Sequence, residues 1–103
     1  MVASLLKSGG ISLDLEKCRA RVGRRVVDLT LTEYNLLVCL VKNAGHPLSR
    51  RELLDAAWDQ FYQGSERTVD THVGRLRQKL GRTGRRIRTL RGMGYQLEMN
   101  RRK

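Results

Sequence analysis

"RTVDTHVGRLRQKL", residues 67–80, decides how the rest of the chain is read. At about 100° per residue, Val69, Val73, Leu76 and Leu80 fall within about 60° of one another. Arg67, Thr71, Gly74, Arg75 and Gln78 fall on the opposite side. Asp70 and Arg77 lie on one flank; Thr68, His72 and Lys79 lie on the other. The segment therefore reads as a helix over residues 66–80, stopped by Gly81, with one face made for a core. The other face gathers arginine among short polar side chains.

Working outward, two further helices precede it. Thr30 with Glu33, and Ser49 with Glu52, each fit a capping box, in which side chain and backbone satisfy each other across a helix start. "LTEYNLLVCLV" continues the first helix to about Asn43, with Gly45 placed to stop it. It is apolar on most sides, so it belongs at the centre. "RELLDAAW" is a short second helix ending near Trp58, and "DQFYQGS" is a loop. Upstream, "ISLDLEKCRARVGRRVVDL" alternates apolar and polar residues and reads as two or three short antiparallel strands. Downstream, "RTGRR" is a basic loop and "IRTLRGMGYQLEM" a strand, a glycine-flanked turn and a strand. The order gives an α+β winged helix-turn-helix: an N-terminal antiparallel sheet, three helices and a C-terminal β-hairpin wing. The domain is expected over residues 11–98. Residues 1–10 are expected as a linker remnant or cloning scar, and 99–103 as a frayed basic tail.

The charge points to a partner class. The 103 residues carry a formal net charge of +11 and a pI near 10.8. From Glu66 onward there are twelve Lys/Arg against three Asp/Glu; residues 1–65 hold nine against seven. A polyanion should thus meet the C-terminal third, and nucleic acid or an acidic membrane surface would serve. The membrane reading fails on the helix 66–80, whose bulky apolar residues are all in the core stripe. No run approaches the roughly 18 apolar residues of a membrane span, and "MVASLL" is too short for a signal peptide. Cys18 and Cys39 have no metal-ligand spacing, and His46 and His72 stand far apart. We expect reduced thiols, no metal, no cofactor and a cytoplasmic protein. An enzyme is not expected either. Asp70 and His72 are about 160° apart on the helix, Ser49 has no histidine beside it, and "GMG" lies in a hairpin.

The arginine-bearing face suits a major groove. Arg75 can bond a guanine edge with two N–H groups, and the Thr71 methyl can touch a thymine. Arg67, His72 and Arg77 are placed for phosphates on the groove lips. Gly74 costs about 1 kcal/mol relative to alanine inside a helix, and on the outward face permits close approach. Arg91, beside the hairpin turn, can enter an adjacent minor groove. The competing readings are a solvated amphipathic helix and a plain turn. A different class of function is a protein-interaction module that docks an acidic partner such as RNA polymerase through the basic face. Trp58, Phe61, Tyr62 and Tyr95 are expected to pack, with the Trp58 N–H and Tyr95 O–H able to reach phosphates as well.

"LTLTEYNLLVCLVKNAG", "LSRRELLDAAW", "RTVDTHVGRLRQKL" and "IRTLRGMGYQL", in this order and spacing, resemble the OmpR/PhoB family of bacterial response-regulator DNA-binding domains. The likeness covers about residues 11–98. It implies the winged fold and a third helix that reads the major groove. By motif position it makes Asp70, Thr71 and Arg75 base-facing. It makes Arg67, Thr68, His72, Arg77, Arg50, Trp58 and Tyr95 backbone-facing, and Arg91 the minor-groove arginine of the wing. It implies that loop 59–65 meets RNA polymerase in some members. It also implies a receiver domain elsewhere in the full-length protein, a monomer when free and a tandem dimer on direct-repeat half-sites of double-stranded DNA. Gly74 departs from the family pattern, where a basic or polar residue is common, so one phosphate contact is lost there.

Overall fold

Ile11 and Leu13 point to one side of an alternating strand and are fully buried, and that side becomes the floor of an antiparallel sheet. The computed structural model describes residues 4–99. Its first sheet is a meander of β1 (Leu5–Ser8), β2 (Ile11–Asp14), β3 (Arg19–Val22) and β4 (Arg25–Val27), paired in sequence order. Leu13 sits opposite Leu6 on one neighbour and Ala20 on the other. The expected start of the folded part at Ile11 is therefore corrected to Leu5, and residues 5–10 are not linker. The run "LLKS" lacks clean alternation, with Leu5 55% exposed, and so hides its strand. The signal was the two-residue turn Gly9-Gly10, where Gly9 takes a φ of 60°. Residues 1–3 and 100–103 lie outside the described residues, so only Met99 of the expected tail is seen.

Both capping boxes form. In α1 (Leu31–Lys42), the Thr30 hydroxyl accepts the Glu33 amide at 3.2 Å and the Thr30 amide donates to Glu33 Oε1 at 2.9 Å. In α2 (Arg50–Ala57), Ser49 and Glu52 exchange the same bonds at 3.0 and 2.7 Å. Leu36, Leu37 and Leu40 of α1 are fully buried, and the stripe of α3 (Arg67–Leu80) packs against them with Val69, Val73, Leu76 and Leu80 in the same core. Burying a side chain of this size contributes about 1.5–3 kcal/mol.

One charge goes into that core. Glu33 is 1% exposed, and its Oε1 also accepts Lys79 Nζ at 2.7 Å. The residue that caps α1 thus ties down the last turn of α3. Burial alone would raise the Glu33 carboxyl; the Lys79 ammonium and the Thr30 amide outweigh it and hold it below the usual carboxylate range.

A second sheet carries the wing. β6 (Ile87–Leu90) and β7 (Gly94–Leu97) form the expected hairpin, and β5 (Leu48–Ser49) adds a third strand on the far side of β7. Two residues are too few to show a strand period, so β5 is invisible in sequence. Leu48 pairs with Tyr95 and Ser49 with Gly94. Gly94 has a φ of 148°, and a Cβ there would overlap the Leu48 carbonyl oxygen. The "RTGRR" loop is instead part of a 3-10 turn, Gly81–Arg86. Gly84 in that turn lies flat on α3, with no room for a Cβ beside the Arg77 carbonyl. Arg86 turns inward and donates to the Ser8 carbonyl (2.8 Å), the Ser8 hydroxyl (2.7 Å) and the Glu98 carbonyl (2.7 Å), joining the two sheets.

The glycines should separate cleanly in chemical denaturation. Gly74 has open space around an added Cβ, so Gly74→Ala should raise stability by up to about 1 kcal/mol. Gly94→Ala should lower it by about 2 kcal/mol or more, through overlap and backbone strain. Equal effects of opposite expectation, or a neutral Gly94→Ala, would refute the close approach of β5 and β7. A second outcome concerns acid. A carboxyl held low in the fold adds stability above its unfolded value, near 4.3 for glutamate, that is lost as pH falls through the lower folded value. Unfolding free energy should therefore fall below about pH 4.3, and Glu33→Gln, which keeps the cap but not the charge, should flatten that slope.

Candidate nucleic-acid interface

The residues of α3 that the wheel turned outward are the ones left bare. Arg67, Thr71, Arg75 and Gln78 are exposed, and Gly74 between them is half-exposed. None of these four side chains makes a hydrogen bond or ion pair among the described residues. The face is thus a strip of free donors with two guanidinium groups, set on a helix whose opposite side is locked into the core.

The flank toward the wing is different. Asp70 Oδ1 accepts Arg50 Nε at 2.9 Å and the Tyr95 hydroxyl at 2.6 Å. One carboxylate oxygen thus joins α3, the first residue of α2 and β7. Burial would raise the Asp70 carboxyl, but Tyr95 and Arg50 bring it below its usual range. Burial, then the Asp70 bond, pushes the Tyr95 hydroxyl up to about 12. Arg50 gains in turn, its guanidinium held more firmly charged by the bond to Asp70. Arg77 is also turned to the wing. Its Nε and Nη2 donate to the Ile87 carbonyl at 3.0 and 2.6 Å, Nη2 reaches Thr89 Oγ1 at 2.7 Å, and the guanidinium lies 5.5 Å from the Tyr95 ring centre. Of the residues expected to face DNA, Asp70, Arg77 and Tyr95 have their polar atoms committed, at least in part, inside the protein.

On the other flank, His72 Nδ1 lies 2.8 Å from the Thr68 carbonyl and 3.3 Å from its hydroxyl. A carbonyl only accepts, so Nδ1 carries the proton. The Trp58 ring meets the His72 ring edge-on at 5.0 Å and the Tyr62 ring tilted at 6.3 Å. Trp58 and Tyr95 pack as expected, whereas Tyr62 is exposed and lies against the Trp58 ring. Phe61 does not pack either: it is 77% exposed, in a loop whose backbone is fixed by Asp59, which accepts the Phe61 amide at 2.7 Å. Arg91 is exposed at the hairpin turn beside Gly92, whose φ is 75°.

Lys79, on a flank of the helix, and Arg86, in the basic loop, are both structural, and their partners lie far off in sequence. Gln78, Arg85 and Arg88 line an open cleft between α3 and β6. The density of arginine at 82–88 was the available signal for that cleft. Among the described residues no helix is long and apolar enough to cross a membrane.

Comparison with known proteins agrees with this architecture. Residues 23–97 match the family described as transcriptional regulatory protein, C terminal. The chain is 44% identical over 100 residues to the phosphate regulon transcriptional regulatory protein PhoB of Rhizobium meliloti, covering 95% of this chain and 44% of that protein. The chain thus spans less than half the length of that curated relative. Among solved structures, the DNA-binding domain of the response regulator AdeR, in complex with an intercistronic region, superposes with a TM-score of 0.82 at 29% identity, covering 92% of this chain and 99% of that one. The RstA DNA-binding domain of Klebsiella pneumoniae, in complex with the RstA box, gives 0.78 at 29% identity, covering 91% and 96%. With its sheet, three helices and wing in the same order, the chain belongs to this non-enzymatic family, the winged-helix C-terminal effector domains of OmpR/PhoB-type response regulators.

Proposed function

We propose that the domain binds double-stranded DNA in a sequence-dependent way, as the effector half of a cytoplasmic two-component response regulator that controls transcription. The observation that carries this is the bare arginine face of α3 (Arg67, Thr71, Arg75 and Gln78) set opposite a fully buried stripe. Such a helix presents side chains to base edges without giving up core contacts. Thr71 and Arg75 are the base-reading residues in this proposal. Arg67, Thr68 and His72 serve the phosphates, with Trp58 seating the His72 ring. With Nδ1 bonded to the Thr68 carbonyl, Nε2 is the ring nitrogen left for a phosphate. Arg50, Asp70 and Tyr95 act as a group: Asp70 fixes the Arg50 guanidinium and the Tyr95 hydroxyl at the edge of the face, and its own base contact is left to Oδ2. Arg77 holds the wing to the helix and adds charge behind it. Arg91 is the minor-groove arginine of the wing.

The rest of the proposal concerns the whole protein. A receiver domain in the full-length protein would control assembly. The effector domain would be a monomer when free and form a tandem dimer on direct-repeat half-sites. The exposed Phe61 supports loop 59–65 as the surface offered to RNA polymerase.

The test is selection from random duplexes on the domain at near-physiological salt. A motif repeated at about one helical turn, bound roughly tenfold or more tighter than its scramble, is the expected result. Equal binding to both duplexes would instead favour a protein partner for the basic face. On the selected duplex, Arg75→Ala should cost about 1–3 kcal/mol and relax preference at one position, whereas Arg67→Ala should weaken all duplexes alike and lower the salt slope by about one. Arg77→Ala should show itself first in thermal unfolding, lowering stability by about 1–3 kcal/mol through its lost bonds to the wing.

A further inference from the structure

We propose that the cleft between α3 and β6 is a seat for a DNA phosphate, with Arg85 and Arg88 as its cations and Gln78 as a neutral donor. The inference rests on the reading of α3 as the major-groove helix, and extends it to residues outside that face.

Side chains tie the hairpin to α3 at two points. Arg77 bonds the Ile87 carbonyl near the end of the helix, and Tyr95 of the adjoining strand bonds Asp70 near its start. A valley therefore runs between helix and hairpin. If α3 enters a major groove and the hairpin tip an adjacent minor groove, the strand that separates those grooves lies over this valley. Its phosphates meet whatever lines it.

At the helix end the valley opens into the cleft, lined among others by Arg77, Gln78, Gly84, Arg85, Arg88 and Thr89. Gly84 makes the floor, since its backbone lies against Arg77 with no room for a Cβ. Arg77 has turned its Nε and Nη2 to the hairpin, so the cation expected for a phosphate here points elsewhere. Arg85 stands free: it is exposed and makes no hydrogen bond or ion pair among the described residues. Arg88 is 60% exposed and pairs with Glu98 at 2.7 Å through one nitrogen. An exposed pair of this kind is worth only about 0–1 kcal/mol, so a phosphate can draw the guanidinium away. A phosphate also accepts paired N–H groups from arginine better than a single carboxylate contact supplies. The cleft opens to solvent, which suits a phosphate that belongs to a polymer rather than an enclosed small anion.

The test uses the whole chain with Arg85→Ala or Arg88→Ala, and Arg19→Ala in the N-terminal sheet as a distant control. Each is titrated with the selected duplex and its scramble across a salt series, after thermal unfolding confirms the fold. Each cleft variant should weaken both duplexes by the same several-fold factor and lower the salt slope by about one, and Arg19→Ala should change neither. A neutral methylphosphonate placed between the two grooves should weaken the parent protein and have a clearly smaller effect on Arg85→Ala, which keeps only Arg88 as a cation there. Unchanged slopes for both cleft variants, with a full methylphosphonate effect in Arg85→Ala, overturn the phosphate seat. The major-groove reading then stands if Arg75→Ala still loses discrimination. Lowered cleft slopes beside an Arg75→Ala that discriminates as well as the parent keep the seat and overturn the major-groove role of Arg75. Failure of the parent to bind any duplex overturns both.

Discussion

The helix Arg67–Leu80 has to be held on three sides and left bare on the fourth. Its floor is the stripe Val69, Val73, Leu76 and Leu80 against the leucines of α1. One side is held at its end by Lys79 on the buried Glu33 carboxylate, and the other by Asp70 and Arg77 on the wing and α2. Everything else in the fold supplies these three holds. The N-terminal sheet packs on α1, α2 brings Arg50 to Asp70, and the wing brings Tyr95, the Ile87 carbonyl and the Thr89 hydroxyl. The arginines that remain on the fourth side owe nothing to the core, and so are free to serve a partner.

The division of labour among the basic residues follows from geometry rather than composition. Arg77, Lys79 and Arg86 spend their donors inside the domain, and among the described residues Arg67, Arg75, Arg85 and Arg91 do not. A net charge of +11 therefore overstates what a polyanion can reach. It also explains how so basic a chain stays folded. Several of its cations neutralise carboxylates or carbonyl dipoles at sites where leaving those acceptors unmet would cost about 1–3 kcal/mol each.

Local patterns carried most of the fold. The two capping boxes need only residues three apart, and the α3 stripe needs only a period, so both were plain in the sequence. The hairpin declared itself through its glycines. What stayed hidden depends on partners distant along the chain: Lys79 with Glu33 (46 residues), Tyr95 with Asp70 (25) and Arg86 with Ser8 (78). β5 is too short to show a period, and β1 has a run of two leucines in place of alternation. For the candidate site, the outward face was legible because exposure follows from the helical wheel. The inward turn of Arg77 was not, because an arginine on a helix flank reaches either way and only the nearby Ile87 carbonyl decides. Phe61 misled for a related reason: aromatic character argues for burial, but the loop gives it no wall to pack on.

The pairing of β5 with β7 makes the wing something other than a loose arm. Leu48 and Ser49 lead directly into α2, so the hairpin shares a sheet with the residues that start that helix, and Gly94 lets the strands approach without a side chain between them. Asp70 then binds both ends of this unit to α3. The separation between recognition helix and hairpin tip is accordingly a fixed caliper. If α3 and the hairpin tip engage adjacent grooves as proposed, a duplex that fits both jaws must have the matching distance from major to minor groove, and duplexes differ in how readily they take it. Selectivity would then arise at base pairs that no side chain touches, from the stiffness of the protein set against the pliancy of the DNA.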